Sequence, residues 1–336
     1  MTFINSRLVV SLFIFLVSLG AAYATLHPFS HGSAHDPARR LHMDLNDAFA
    51  THWKGRTGVN VSIRLARNKS GEPVHALVDG LNIITLALSY DKTTPDGKPG
   101  IIPLRWQPLP RNSSYASPYT STIVFLVRKG NPKGLSDWDD LVRSGTEVIT
   151  SNPKYSENGR WSYLAAWGYA LKQSGGDEAA ALEFVKRLFA NIKPSDSKSG
   201  KRDATAAFVE QGLGDVLLVW ENEAHLLTHE KGEEKFEIIV PPVSIVAERP
   251  ISVIANGGSS ASDVAVAYID YLYTHPAQDI AAKHYYRPRD TAVSATYADR
   301  FPATELFTID DVFGGWHNAE KVHFARGGVL EQIQSN

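Results

Sequence analysis

The chain has 336 residues, 43% of them hydrophobic, no cysteine, and a formal net charge of −2 from 34 basic and 36 acidic residues. That length and apolar content support an ordinary globular core with room for two domains, and they exclude a disordered or low-complexity chain. Nearly balanced, interspersed charges leave no electrostatic footprint for nucleic acid or an acidic membrane surface, and without disulfides stability must come from the size of the core.

The stretch MTFINSRLVVSLFIFLVSLGAAYA places Arg7 before an apolar run from Leu8 to Leu19, followed by Ala22-Tyr23-Ala24. A small-x-small triplet after such a run is what a signal peptidase reads. The run is shorter than the ~20 residues a spanning helix needs, so export with cleavage after Ala24 is expected. His27, His31 and His35 recur every fourth residue, with His42 beyond. Pro28 and Gly32 between them oppose a helix that would present them on one face, so no metal and no cofactor is expected.

Further along, LNDAFATHWKGRTG has apolar residues at helical spacing and ends at Gly58, and VNVSIRLA alternates as a strand does. The same helix-then-strand pairing is expected for GEPVHALVDG before IITLALSY, LSDWDDLVRSG before EVITSNP, and TAAFVEQGLG before DVLLVWENE. EAAALEFVKRLFANI reads as a further helix, and NPKYSENGR is a polar loop set directly against the helical RWSYLAAWGYAL. Helices between apolar strands imply an α/β fold with parallel sheets covered on both faces. Residues 90–118 are rich in Pro, Gly and Ser and read as a surface excursion. It leads into YTSTIVFLVRKGNP, whose apolar run is a candidate strand crossing between lobes.

Catalytic signatures are missing. There is no Gly-x-Ser-x-Gly elbow, Walker loop, His-Glu-x-x-His or spaced-glycine dinucleotide fingerprint. Scattered acids alone do not define a glycosidase pair. An enzyme is therefore not expected, and an enzyme or a structural interaction protein stands as the less favoured alternative.

Long stretches in order along the chain resemble the periplasmic sulfate-binding proteins of ABC importers: LNDAFATHWKGRTG, ITLALSYD, PYTSTIVFLVRKGNPKGLSDWDDL, RWSYLAAWGYAL, FVEQGLGDVLLVWENEA, KFEIIVPP, YYRPRD and LFTIDDVFGGW. The resemblance implies a two-lobed α/β "Venus flytrap" of the type II periplasmic-binding-protein kind, with hinge-crossing strands and a ligand enclosed between the lobes. On that pattern residues 1–24 are the signal peptide, 25–122 with 248–313 form lobe 1, and 123–247 with 314–336 form lobe 2. The implied role is capture of sulfate or thiosulfate in the periplasm by a monomer and delivery to an ABC membrane permease.

The family holds its dianion with backbone N–H groups at helix N-termini and neutral side-chain donors. By resemblance, Ser156 supplies a hydroxyl and Trp220 an indole donor, while Asp36 in HDPARRL and Ser70 in RNKSGEP match the other lobe's positions. Read without the family, Ser156 and Ser70 are better taken as ordinary helix caps, since serine is so common there. Glu157 and Asn158 in the polar loop and Lys201 in SGKRDA complete the candidate ligand-binding set. The ligand loops also depart from the family pattern. NPKYSENGR stands where Asn-Pro-Lys-Ser-Ser-Gly-Gly-Ala-Arg is usual, Asn68-Lys69 replaces a glycine pair, and Lys201 and Asp203 replace small residues. The alternative reading is therefore the same scaffold fitted to another anion. A protonated oxyanion such as phosphate would use Glu157 or Asp203 as acceptor, and a sulfonate or carboxylate would use Lys201 or Arg202.

Overall fold

The computed structural model of the protein describes residues 37–67, 73–78, 81–85, 117–193, 204–248, 251–254 and 259–334. The signal peptide, the histidines at 27, 31 and 35, and the excursion up to residue 116 lie outside the described residues.

Helix α1 spans Pro37–Thr57. It starts well before the predicted stretch because Leu41 extends the apolar stripe of Leu45 and Phe49. All three are fully buried, against Tyr268, Tyr271, Leu272, Ala277 and Ala281. Gly58 ends the helix at φ 73°, its N–H on the Lys54 carbonyl at 2.8 Å, a conformation glycine takes without strain. Strands β1 (Ile63–Arg67), β2 (Pro73–Val78) and β3 (Leu81–Thr85) then form an antiparallel meander. The helix expected within residues 71–80 is thus a strand. Val78 pairs with Leu81, a reversal too tight for the crossover that parallel strands need, and the β-branched Val74 and Val78 suit it.

Next come β4 (Tyr119–Ser121), β5 (Ile123–Arg128), a 3₁₀ turn at Trp138–Val142, β6 (Val148–Ile149), α2 (Glu157–Gln173), α3 (Glu178–Asn191) and α4 (Ala204–Val209). β7 (Val216–Trp220) runs straight into α5 (Glu221–Lys231), followed by β8 (Phe236–Ile239), β9 (Val243–Ile245), β10 (Ala247–Glu248) and β11 (Ile251–Ile254). The chain continues through α6 (Ser259–Leu272), α7 (His275–Lys283), β12 (Arg287–Pro288), α8 (Thr291–Thr296), β13 (Glu305–Phe307), α9 (Ile309–Phe313) and two short helical segments, 316–324 and 329–334, joined by a turn.

The sheets show how the molecule is joined. β4 pairs with β10 and β12, whereas β5, one residue further on, pairs with β7 and β8. One apolar run therefore passes from a three-stranded sheet into a four-stranded one. The run from β9 to β10 makes a second crossing, pairing first with β13 and then with β4. Where the runs meet, Thr122 Oγ1 donates to the Ile245 carbonyl at 2.8 Å and Ser244 Oγ to the Ile123 carbonyl at 2.9 Å. This is a two-lobed α/β fold with hinge-crossing strands.

Parallel ladders, expected throughout, are confined among the described residues to β6 with β7 and β9 with β13. In the four-stranded sheet of β6, β7, β5 and β8 the crossing run enters from the opposite end, so β5 lies antiparallel to both neighbours, while the β1–β3 meander with β11 and the pairs of β4 with β10 and β12 are antiparallel in their own sheets. The expectation of two covered faces holds. Ile123, Phe125 and Val127 face one core with α2, while Val124 and Leu126 face another with Ala204, Ala207 and Phe208 of α4. Period-two alternation thus appears as two hydrophobic faces instead of one.

Candidate functional site

The opening of α2 is shaped by the chain immediately before it. The Asn152 carbonyl accepts the N–H of Tyr155 at 3.1 Å and of Ser156 at 2.9 Å, and Asn152 Oδ1 accepts that of Lys154 at 2.9 Å. A Cβ on Gly159 would lie 2.3 Å from the Ser151 carbonyl oxygen and 2.7 Å from Pro153 N. Only glycine lets the first helical turn rest on this loop. Arg160 Nε donates to the Pro153 carbonyl at 3.2 Å and its Nη1 to Glu320 at 2.7 Å, so the C-terminal segment buttresses the loop from behind.

Ser156 is the N-cap of α2, with extended backbone at φ −127° and ψ 131°. Its Oγ accepts the Gly159 N–H at a long 3.4 Å. Glu157 and Asn158, both half-buried, occupy the first turn, where backbone N–H groups have no intrahelical acceptor. The helix then runs almost wholly buried from Trp161 to Ala170. A hydroxyl that accepts one hydrogen bond still has a proton to donate.

A second helix start lies beside the first. Trp220 ends β7 and caps α5. The Glu221 N–H donates to the Thr122 carbonyl at 2.8 Å and the Asn222 N–H to Ser121 Oγ at 3.3 Å, which ties α5 to the crossing strand. Asn158 Nδ2 reaches across to Glu223 in the first turn of α5, 3.2 Å from Oε1 and 3.1 Å from Oε2. The buried rings of Trp161 and Trp220 stand perpendicular at 5.9 Å, and Trp316 stands perpendicular to Trp161 at 4.7 Å. Two N-termini, each the positive end of a helix dipole, are thereby held together over an aromatic base.

The surrounding ionisable groups are paired. The fully buried Glu221 carboxylate takes Arg287 Nε at 2.5 Å and Nη2 at 2.6 Å, joining α5 to β12. Burial pushes the Glu221 carboxyl up, against the opposing pull of Arg287. Nearby on the crossing sheet, Glu248 pairs with Arg289, and burial still pushes its carboxyl up to about 7. The double-armed link of Arg287 to Glu221 fixes geometry more than it adds stability.

Of the sequence-derived residues, Ser156, Glu157, Asn158 and Trp220 lie on these two helix starts, and Asp36, Ser70 and Lys201 lie outside the described residues. Reading the sequence did not single out Glu223, Glu221, Arg287 or Trp161. The expected strand DVLLVWENE ends with Glu221, Asn222 and Glu223, whereas these three residues open α5; acids in a first turn are a helix-start signal, but no local pattern gave their partners. Among the described residues no group of three or more His, Asp or Glu is placed to hold a metal, and no helix is long and apolar enough to cross a membrane. The chemistry available is capture of an anion by neutral donors at positive helix ends.

Residues 43–287 match the family model described as bacterial extracellular solute-binding protein. The chain is 50% identical over 305 residues to a sulfate-binding protein of Salmonella typhimurium, covering 89% of this chain and 91% of that one. It is 41% identical over 326 residues to a thiosulfate-binding protein of Pseudomonas aeruginosa, covering 95% and 96% of the two. Among solved structures it is similar to the sulfate-binding protein SubI from Mycobacterium tuberculosis H37Rv, with TM-score 0.54 and 37% identity over 62% of this chain and 71% of that one.

Proposed function

Because the chain belongs to the sulfate- and thiosulfate-binding proteins, a group of bacterial extracellular solute-binding proteins, we propose that it captures sulfate or thiosulfate and passes it to an ABC import permease. The observation that carries this reading is the 50% and 41% identity, over nearly the whole length of each chain, to proteins named for those two ligands. The pair of helix starts at Ser156 and Trp220 supplies its chemistry. A dianion needs several donors and no bulky counter-charge, and a helix N-terminus offers both spare N–H groups and a favourable field.

In this proposal the ligand meets Ser156 Oγ, the backbone N–H groups of Glu157 and Asn158, and the Trp220 indole, with Asp36, Ser70 and Lys201 completing the site. The lobes, residues 25–122 with 248–313 and 123–247 with 314–336, hinge on the crossing runs and close over the ligand. The protein works as a monomer in the periplasm after cleavage behind Ala24, and it catalyses no reaction. A ligand at about 100 times its dissociation constant adds ~2.7 kcal/mol to the native state. Sulfate and thiosulfate should therefore raise the melting temperature while phosphate and methanesulfonate do not. A panel in which neither stabilises, or in which phosphate stabilises most, would overturn the reading.

A further inference from the structure

Glu223 belongs to two helix starts at once. It lies in the first turn of α5, three residues beyond Trp220. The two contacts from Asn158 Nδ2 also press its carboxylate against the first turn of α2, two residues beyond Ser156. A carboxylate at a helix N-terminus is stabilised by the same field that attracts a bound anion. Here the field of both helices is shared between an internal charge and the incoming one, and like charges in one site repel.

Resting on the function proposed above, we infer that Glu223 sets the charge preference of the site. Asn158 holds the Glu223 carboxylate at the joint of the two helix N-termini, where it weakens the binding of doubly charged oxyanions. The neutral carboxamide of Asn158 does this without adding charge, and it consumes its own donors on Glu223, leaving only its backbone N–H for the ligand. Neither side chain needs to touch the anion. A unit charge within about 8 Å of a dianion, at near-aqueous screening, changes affinity by about fivefold.

The test is calorimetry of the purified protein with sulfate at low and high ionic strength. E223Q keeps the shape and an acceptor for Asn158, and it should bind sulfate about fivefold more tightly at low salt, the gain shrinking as salt screens the charge. N158D adds a carboxylate and should bind about fivefold more weakly. The N158D/E223Q pair restores the wild-type charge with the hydrogen bond reversed, and it should return close to wild-type affinity. A bridge that acts only by holding structure would weaken binding in both single variants with no salt dependence, which would overturn the inference. So would an unchanged affinity in E223Q while the wild type binds. A wild type that binds neither sulfate nor thiosulfate would instead overturn the functional reading, and this inference with it.

Discussion

Ser156 can serve as helix cap and ligand donor together because a hydroxyl accepts through its lone pairs and donates through its proton. Its 3.4 Å contact to the Gly159 N–H is long for a cap, so the cap contributes little here. Ser156→Ala should weaken sulfate binding by ~1.5–3 kcal/mol, the worth of a hydrogen bond to a charged group, and change stability far less. Calorimetry and denaturant melts on the same variant check both halves. His323 supplies a second residue-scale expectation. It is only 4% exposed, 2.8 Å from Tyr163 Oη, and burial lowers its pKa from 6.5 to about 4. Between those values the unfolded chain binds a proton that the folded chain refuses, so stability present above pH 6.5 is lost as pH falls toward 4. His323→Asn should remove up to roughly 3 kcal/mol of that pH-dependent loss, measured by denaturant unfolding at pH 7 and pH 4.5. At this scale the sequence showed what could cap or donate. The link from Asn158 to Glu223, 65 residues away, was not legible, since nothing local pairs them.

Elements were legible where one face or one run dominated. The stripe of α1 and the apolar run of β5 are periodic signals that packing reinforced. Residues 73–78 misled because a short apolar stretch satisfies helix and strand alike, and the tight pairing of Val78 with Leu81 decided the matter. Gly168 in the middle of α2 shows propensity yielding to packing. Glycine there costs about 1 kcal/mol relative to alanine by propensity alone, yet a Cβ would lie 2.2 Å from the Phe307 ring of β13. Gly168→Ala should therefore destabilise by ~1–3 kcal/mol through overpacking instead of stabilising, as urea unfolding will report. A stabilised variant would mean that Phe307 turns aside freely.

For the whole molecule, the sequence carried the two-lobed α/β class through its apolar runs and its resemblance, while the antiparallel entry of β5 needed the assembled sheet. What positions the site is likewise a property of the assembly. The crossing strand accepts the first N–H groups of α5 at Thr122 and Ser121, and β12 clasps the same helix through Arg287 and Glu221. The claim that the occupant is sulfate or thiosulfate is tested most directly by isothermal titration of the purified, ligand-free protein with each anion in turn. The expected result is saturable one-to-one binding of sulfate or thiosulfate, the two competing for one site, with no heat from phosphate. Absence of binding by both up to millimolar concentrations, or tighter binding of phosphate, would contradict it.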